Sequence, residues 1–343
     1  LAQLGDVPCT SRVAAVVALA EGAPAPCRCG RSAAARRNLY GTGEVGTMSA
    51  KAPYPMRDLP DYTRPLVINA ALTGMVPRRR EYPAVPEQPD QIAKDAAACI
   101  AAGASNLHLH ARDLDGEPSV RREIYADIVR RVRALSGDVV ICVSTSGRVH
   151  PRFEERADVL GLDGSLAPDL ASLTLGSLNF PKQASVTEPA MIQGLADRMR
   201  ERGIVPELEI FDLGMLDYAH YLIGKGILRP PFVFNLLLGS LGTIAATAEN
   251  LAMLVSRLPH DAYWQAAGIG RAQWPINALG VTMGGHVRTG LEDNLHMDPA
   301  RRDLATNPRL VARVAGLATA LGRRVASPIE ARELIGLPVR ALR

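Results

Sequence analysis

His108 and His110 stand two positions apart in Leu107-His108-Leu109-His110-Ala111-Arg112-Asp113. In a strand, residues i and i+2 point to one face. The two imidazoles then project together, while Leu107, Leu109 and Ala111 face the other way. Neutral imidazole binds zinc and similar ions, so two such rings at a strand end supply half of a metal site. The same pair could instead be hydrogen-bonded polar residues inside a barrel. A second candidate lies far along the chain, in Arg288-Thr289-Gly290-Leu291-Glu292-Asp293-Asn294. Taken alone, these are solvated loop charges. Beside the histidines, Glu292 can add the carboxylate that completes a His-His-Glu site with a position left open for substrate. Asp293 is then free to act as a base. Arg288 can hold it ionised and oriented, because a nearby guanidinium lowers a carboxylate's pKa.

The elements that must position these groups follow from the alternation of short apolar runs with amphipathic stretches. Strands are predicted at residues 66–71, 105–111, 138–144, 170–175, 205–211, 232–237, 262–267 and 286–289. Helices are predicted at 88–102, 120–135, 188–202, 215–223, 243–258 and 308–321. Eight strands alternating with helices indicate an α/β fold, a (β/α)₈ TIM barrel over residues 61–343. No G-x-G-x-x-G follows the first strand, which argues against a dinucleotide fold. Chemistry in a barrel gathers at the C-terminal ends of the strands. Asn69 and Thr73-Gly74 follow the first strand, and Ser144-Thr145-Ser146-Gly147 follow the third. Ser172 and Thr174 share one face of the fourth strand, and Glu207 and Glu209 one face of the fifth. Gly268-Ile269-Gly270-Arg271 after the seventh occupies a common phosphate position, although a plain turn explains it equally. Charges are costly inside a barrel unless paired or bound to metal, so their concentration at strand ends marks a site.

Composition bounds the remaining possibilities. The chain is 47% hydrophobic and 22% charged, as in an ordinary globular enzyme. Its net charge of +4 is mostly local: residues 1–60 hold seven Lys and Arg against four Asp and Glu, a surplus of +3. The rest is near +1, which argues against a nucleic-acid surface over the folded body but leaves room for a small basic mouth for a phosphorylated cofactor. Cys99 and Cys142 fall in apolar runs and read as buried thiols, and no disulfide framework is evident. That usage fits a reducing cytoplasm. No apolar run reaches transmembrane length. Residues 1–60 are expected to form an unstructured N-terminal extension, rich in Ala, Arg and Gly, with 1–47 lying upstream of a natural start at Met48. The short apolar run at 13–20 faintly resembles a signal-peptide core, but the segment before it carries one Arg and one Asp, so no signal peptide is expected.

Six strings in order carry a family resemblance. They are Ala70-Ala71-Leu72-Thr73-Gly74, His108-Leu109-His110-Ala111-Arg112-Asp113, Ser172-Leu173-Thr174-Leu175-Gly176-Ser177-Leu178-Asn179-Phe180, Pro206-Glu207-Leu208-Glu209, Ala267-Gly268-Ile269-Gly270-Arg271 and Gly290-Leu291-Glu292-Asp293-Asn294. Over residues 64–340 the chain resembles the β-keto acid cleavage enzyme family. The resemblance implies a zinc-dependent barrel, a homotetramer, that condenses a β-keto acid with acetyl-CoA. The products would be acetoacetate and a new acyl-CoA, by a Claisen and retro-Claisen route. By the same resemblance His108, His110 and Glu292 would hold Zn²⁺, and Asp293 paired with Arg288 would be the general base. Ser144, Ser172, Glu209 and Thr73 would meet the substrate. Members acting on an amino substrate carry Glu two residues after the Thr-Gly, where this chain has Val76. An apolar side chain cannot pair with an ammonium, so a less charged or apolar keto acid is expected. Arg78-Arg79-Arg80 reads as a solvated charge run. His286 could stand behind the metal or serve the structure alone.

Two other readings compete. Metal-dependent barrel hydrolases also use an H-x-H pair, but on the first strand and with further His, Lys and Asp ligands at later strand ends. Here the pair is on the second strand. A non-enzymatic scaffold is the other, and stoichiometric metal would exclude it.

Overall fold

The computed structural model describes residues 61–338 and Arg340. The extension expected over residues 1–60 lies outside the described residues. Eight strands form the centre: β1 (Ile68–Ala71), β2 (Asn106–Leu109), β3 (Val140–Val143), β4 (Leu170–Thr174), β5 (Val205–Ile210), β6 (Val233–Leu238), β7 (Tyr263–Gly268) and β8 (His286–Thr289). They close in chain order into a parallel barrel, with β8 beside β1 in the register Asn69 opposite Arg288. All eight predicted strands are present. The predicted run 105–111 is cut at Leu109, because Ala111–Arg112 leaves the barrel to pair with Pro118–Ser119.

The helices are α1 (Pro89–Ala101), α2 (Arg122–Leu135), α3 (Phe153–Ala157), α4 (Pro189–Glu201), α5 (Leu213–Gly224), α6 (Ala248–Ser256), α7 (Gln273–Thr282), α8 (Asn307–Ala320) and α9 (Pro328–Ile335). Their starts follow local chemistry. Asp212, Thr247 and Thr306 accept hydrogen bonds from the backbone N–H three residues on, and Ser327 with Glu330 closes a capping box before Pro328. None of α3, α7 and α9 is among the six predicted helices. The helix α7 is short, nearly uniformly apolar, and interrupted by Pro275 and Gly280, so it shows little 3.6-residue periodicity.

Two apolar layers and one polar layer build the interior. Outward residues such as Ile68, Leu107, Ile141 and Leu173 pack against Ile92, Ile128, Val132 and Leu195 of the helices. Val67, Val140, Leu170 and Val233 form an apolar floor inside the barrel, and α9 plugs it with Ala331 and Ile335. Above this floor the lumen turns polar. Asn69, Asn235 and Gln265 donate to the buried Glu207 at 3.2, 3.2 and 2.8 Å. One end of the barrel is therefore stoppered, and polar groups face the other. No helix among the described residues is long and apolar enough to cross a membrane.

Candidate active site

The β2 strand delivers both histidines to the open end of the barrel. His108 Nε2 and His110 Nε2 face each other at 3.2 Å, with both rings buried. Glu292, from the turn after β8, places one carboxylate oxygen 3.2 Å from His110 Nε2 and the other 3.8 Å from His108 Nε2. The structure thus brings together three residues separated by most of the chain. Zinc bonds of about 2.0–2.1 Å at tetrahedral angles put ligand atoms roughly 3.3 Å apart, so this set fits such an ion. Glu292 Oε2 is buried and has no hydrogen-bond partner, as a ligand atom would be before it meets its metal. Burial drives the His110 pKa down to about 4, which keeps the ring neutral and able to donate a lone pair.

Two glycines let the strand ends meet. Gly74 has a φ of +67°, and a Cβ there would sit 2.5 Å from Glu292 Cγ. Gly290 lies against the Ala71 carbonyl, where a Cβ would overlap the backbone. Asn307, at the start of α8, stitches the same seam. Its amide donates to Leu72 O at 2.9 Å, and its oxygen accepts from Leu291 N at 2.7 Å. Nothing in the sequence around Asn307 announces this role.

Behind the histidines lies Glu207, whose carboxylate comes within 3.6 Å of His108 Nδ1. Burial pushes its pKa up, but His108, Arg288 and the Gln265 amide outweigh that, and the net shift is downward. An ionised Glu207 would hold the His108 proton on Nδ1 and leave Nε2 free for a ligand, the usual support of a metal-binding imidazole. The sequence placed Glu207 and Glu209 on one face. It did not distinguish the lower, structural carboxylate from the upper one that lines the cavity. His286 is not behind His108 and His110. Its Nδ1 accepts from Val67 N at 3.0 Å and its ring stacks on Tyr263, at the plugged end of the barrel.

Arg288 is the hub of the site. Its Nε and Nη2 grip Asp293 at 2.9 and 3.0 Å, Nη2 also meets Glu292 at 2.8 Å, and Nη1 lies 4.0 Å from Glu209. Three carboxyl groups, Asp293 buried and Glu209 and Glu292 half-buried, surround one guanidinium, a negative surplus that a divalent cation would balance. Asp293 departs from expectation in sign. Burial raises its pKa more than Arg288 lowers it, and the nearby Glu292 adds to the rise. Glu292 moves the opposite way: burial pushes it up, but Arg288, His110 and His108 pull it well down. Adjacent carboxyls of opposite tendency suit one for ligation and the other for proton transfer.

A cavity of about 430 Å³ opens over this cluster, lined by Ser144, Glu209, Arg288, Glu292 and Asp293 among others. Thr73 and Ser172 do not line it. The Thr73 hydroxyl donates to Pro86 O at 2.9 Å, and Ser172 Oγ accepts from Thr145 N at 3.2 Å, so both brace loops behind the site. Thr174 takes the exposed place on β4 and donates to Glu209 at 2.6 Å. Val76 lies at the rim, 58% exposed.

The comparisons with known proteins agree with this geometry. The sequence model of the beta-keto acid cleavage enzymes matches residues 65–337. The 3-keto-5-aminohexanoate cleavage enzyme of Fusobacterium nucleatum is 37% identical over 274 residues, 79% of this chain and 98% of that protein. The 3-oxoadipate:acetyl-CoA acetyltransferase of Cupriavidus necator is 38% identical over 280 residues, 80% of this chain and 96% of that one. The apo structure of ObcA shares the fold, with a TM-score of 0.68 at 21% identity over 75% of this chain and 66% of that chain. Family match and barrel site lead to one conclusion: this chain is an enzyme of the β-keto acid cleavage enzyme family.

Proposed function

We propose that the chain is a zinc-dependent transferase that condenses a β-keto acid with acetyl-CoA and releases acetoacetate and a new acyl-CoA. The observation that carries this reading is the convergence of His108, His110 and Glu292 beside the Arg288–Asp293 pair on the floor of one cavity. His108, His110 and Glu292 would hold the zinc, which when bound supplies Lewis acidity to a substrate carbonyl. Asp293, its basicity raised by burial, takes a proton from C2 of the keto acid. That carbon attacks the acetyl carbonyl, and CoA thiolate leaves. The thiolate adds to the former keto carbon, C3. The C2–C3 bond breaks, and the electron pair returns to C2, which recovers the proton from Asp293. Arg288 keeps Asp293 aimed through two parallel hydrogen bonds, and its third nitrogen, which has no hydrogen-bond partner in the protein, is free to donate to an oxyanion. Ser144 and Thr174 line the same space.

Acetyl-CoA as co-substrate is supported by the name of the Cupriavidus relative and by Arg271 and Arg301, which stand exposed at the cavity rim. The described cysteines, Cys99 and Cys142, are free, in keeping with a cytoplasmic enzyme. A tetramer, as the resemblance implies, would show in sedimentation. The decisive experiment supplies acetyl-CoA labelled in the acetyl group with a panel of β-keto acids. Label in acetoacetate and the keto acid's own acyl group on CoA are expected, with one zinc per chain. Hydrolysis of the thioester without a new acyl-CoA would overturn the reading, and His108→Ala is expected to lose the metal.

A further inference from the structure

We propose that Arg148 reads the far end of the keto acid, and that the preferred substrate carries a second carboxylate there. This builds on the keto-acid reading above and names its substrate class. Arg148 follows Ser144-Thr145-Ser146-Gly147 after β3 and lines the cavity. Its guanidinium carbon lies 3.4 Å from the centre of the Phe180 ring. The backbone is fastened on both sides: Gln183 donates to Arg148 O at 2.8 Å, and Arg148 N donates to Ser146 Oγ at 3.4 Å. The side chain is therefore aimed, not loose.

What it is aimed at is missing from the protein. Among the described residues, no carboxylate lies within 4.0 Å of its guanidinium and no acceptor takes its N–H groups. Its Nε is sealed from water without a partner. Among the described residues, other buried guanidiniums each keep at least one protein acceptor, although Arg112 Nε and Arg288 Nη1 also lack one. Arg112 donates to three carbonyls, Arg156 to Thr145 O, Arg323 to Gly285 O, and Arg288 to Asp293. Burial lowers the Arg148 pKa, and only the more distant Glu292 and Glu209 offset this. Stacking on Phe180 satisfies the face of the guanidinium, but the donors lie in its plane and at its edge. An edge of paired N–H groups, half-buried against an aromatic ring, is matched by a carboxylate taken in bidentate fashion.

The position selects which end of the substrate it meets. The carbon that loses its proton must lie against Asp293, and the carbonyls on either side of it against the histidine end of the cavity. Leu178, Phe180 and Phe211 supply an apolar wall in the same cavity as Arg148. A keto acid with a short methylene chain and a terminal carboxylate satisfies both the wall and the cation. Val76 removes the partner of a cationic tail and presents nothing that would repel an anion, so the expectation of a less charged keto acid is replaced here by that of an anionic one. The phosphates of CoA lie a whole pantetheine arm from the thioester, too far out for a residue that feels Glu292.

The test compares six- and seven-carbon 3-oxo diacids with 3-oxo monoacids of the same length, in the zinc-loaded full chain. Two readouts are taken, kcat/KM with acetyl-CoA and Kd by equilibrium binding. A preference for the diacid of about tenfold or more is expected in both. Arg148→Met should collapse that ratio towards one, with Arg148→Lys in between. An unchanged ratio in Arg148→Met, with both acids weakened alike, would assign Arg148 to the common carboxylate or to the loop and overturn the proposal. Equal binding of both acids by the unaltered enzyme would overturn it too. Arg148-dependent diacid binding without acyl-CoA formation would uphold Arg148 and sink the reaction. Turnover without diacid preference would do the reverse.

Discussion

Arg288 and Asp169 organise inverse clusters at opposite ends of one barrel. At the plugged end, Asp169 precedes β4 and gathers three arginines: Arg133 at 2.6 Å, Arg332 at 2.9 Å and Arg340 at 3.3 Å. It also accepts from Ile141 N at 2.9 Å, so every lone pair of this carboxylate is used. Those bonds tie α2, β3 and α9 together. At the open end one arginine faces three carboxyls, and Arg288 Nη1 and Glu292 Oε2 stay without partners beside the cavity, whereas the unpartnered Arg133 Nε and Arg332 Nη1 of the plugged end lie away from it. The comparison separates charge that holds the fold from charge that waits for a ligand. Net sign and residue type are similar kinds of evidence in both places. Unfilled donors and acceptors facing a cavity are what distinguish the working end.

Substitutions should break the two ends differently. The largest effect is expected for Asp293→Asn, a loss of turnover of about 10²–10⁴-fold. Zinc content should stay unchanged; loss of metal would mean that Asp293 is part of the ligand set. Asp169→Ala leaves buried arginines unpaired and should cost about 3–5 kcal/mol of stability by urea denaturation. The turnover of the molecules that remain folded should not change, and a specific catalytic defect would dissolve the contrast between the two ends. Glu207→Gln sharpens the comparison from below. It keeps the shape but not the charge behind His108, turns one acceptor oxygen into a donor, and should weaken zinc binding about 10–100-fold in chelator competition. The smallest effect belongs to Thr73→Val, where losing the bond to Pro86 should cost about 1 kcal/mol. A rise in keto-acid KM there would restore Thr73 to the substrate.

Much of this architecture is legible in the chain because its signals are local. The eight strands are short apolar runs between helical patterns, and the i, i+2 rule places His108 beside His110. Glu292 and Asp293 were found because a motif ties them to those histidines. What escaped depends on distant partners. Ser172 and Thr174 alternate alike in sequence, yet Thr174 lies a step higher and reaches the cavity. Asn307 is an ordinary helix-start residue until its three-dimensional neighbours are known. Arg148 reads as one more loop cation, and only its empty surroundings make it notable. The pKa of Asp293 reversed the simple expectation because burial, which no short motif encodes, outweighs the adjacent guanidinium. The capping box at Ser327 is a local signal for α9, which shows too few turns for a clear 3.6-residue period.

The nesting of Glu292 against Gly74 has a consequence for how the enzyme comes into being. The histidines belong to the second strand, and the carboxylate follows the eighth, so a nascent chain exposes an imidazole pair long before its third ligand is synthesised. If these three residues hold a metal as proposed, its capture at full strength must await the docking of the last strand on the first. A breathing motion that unzips this one boundary would then shed the ion while the other strand pairs are still intact, and metal content would gauge whether the ring is shut.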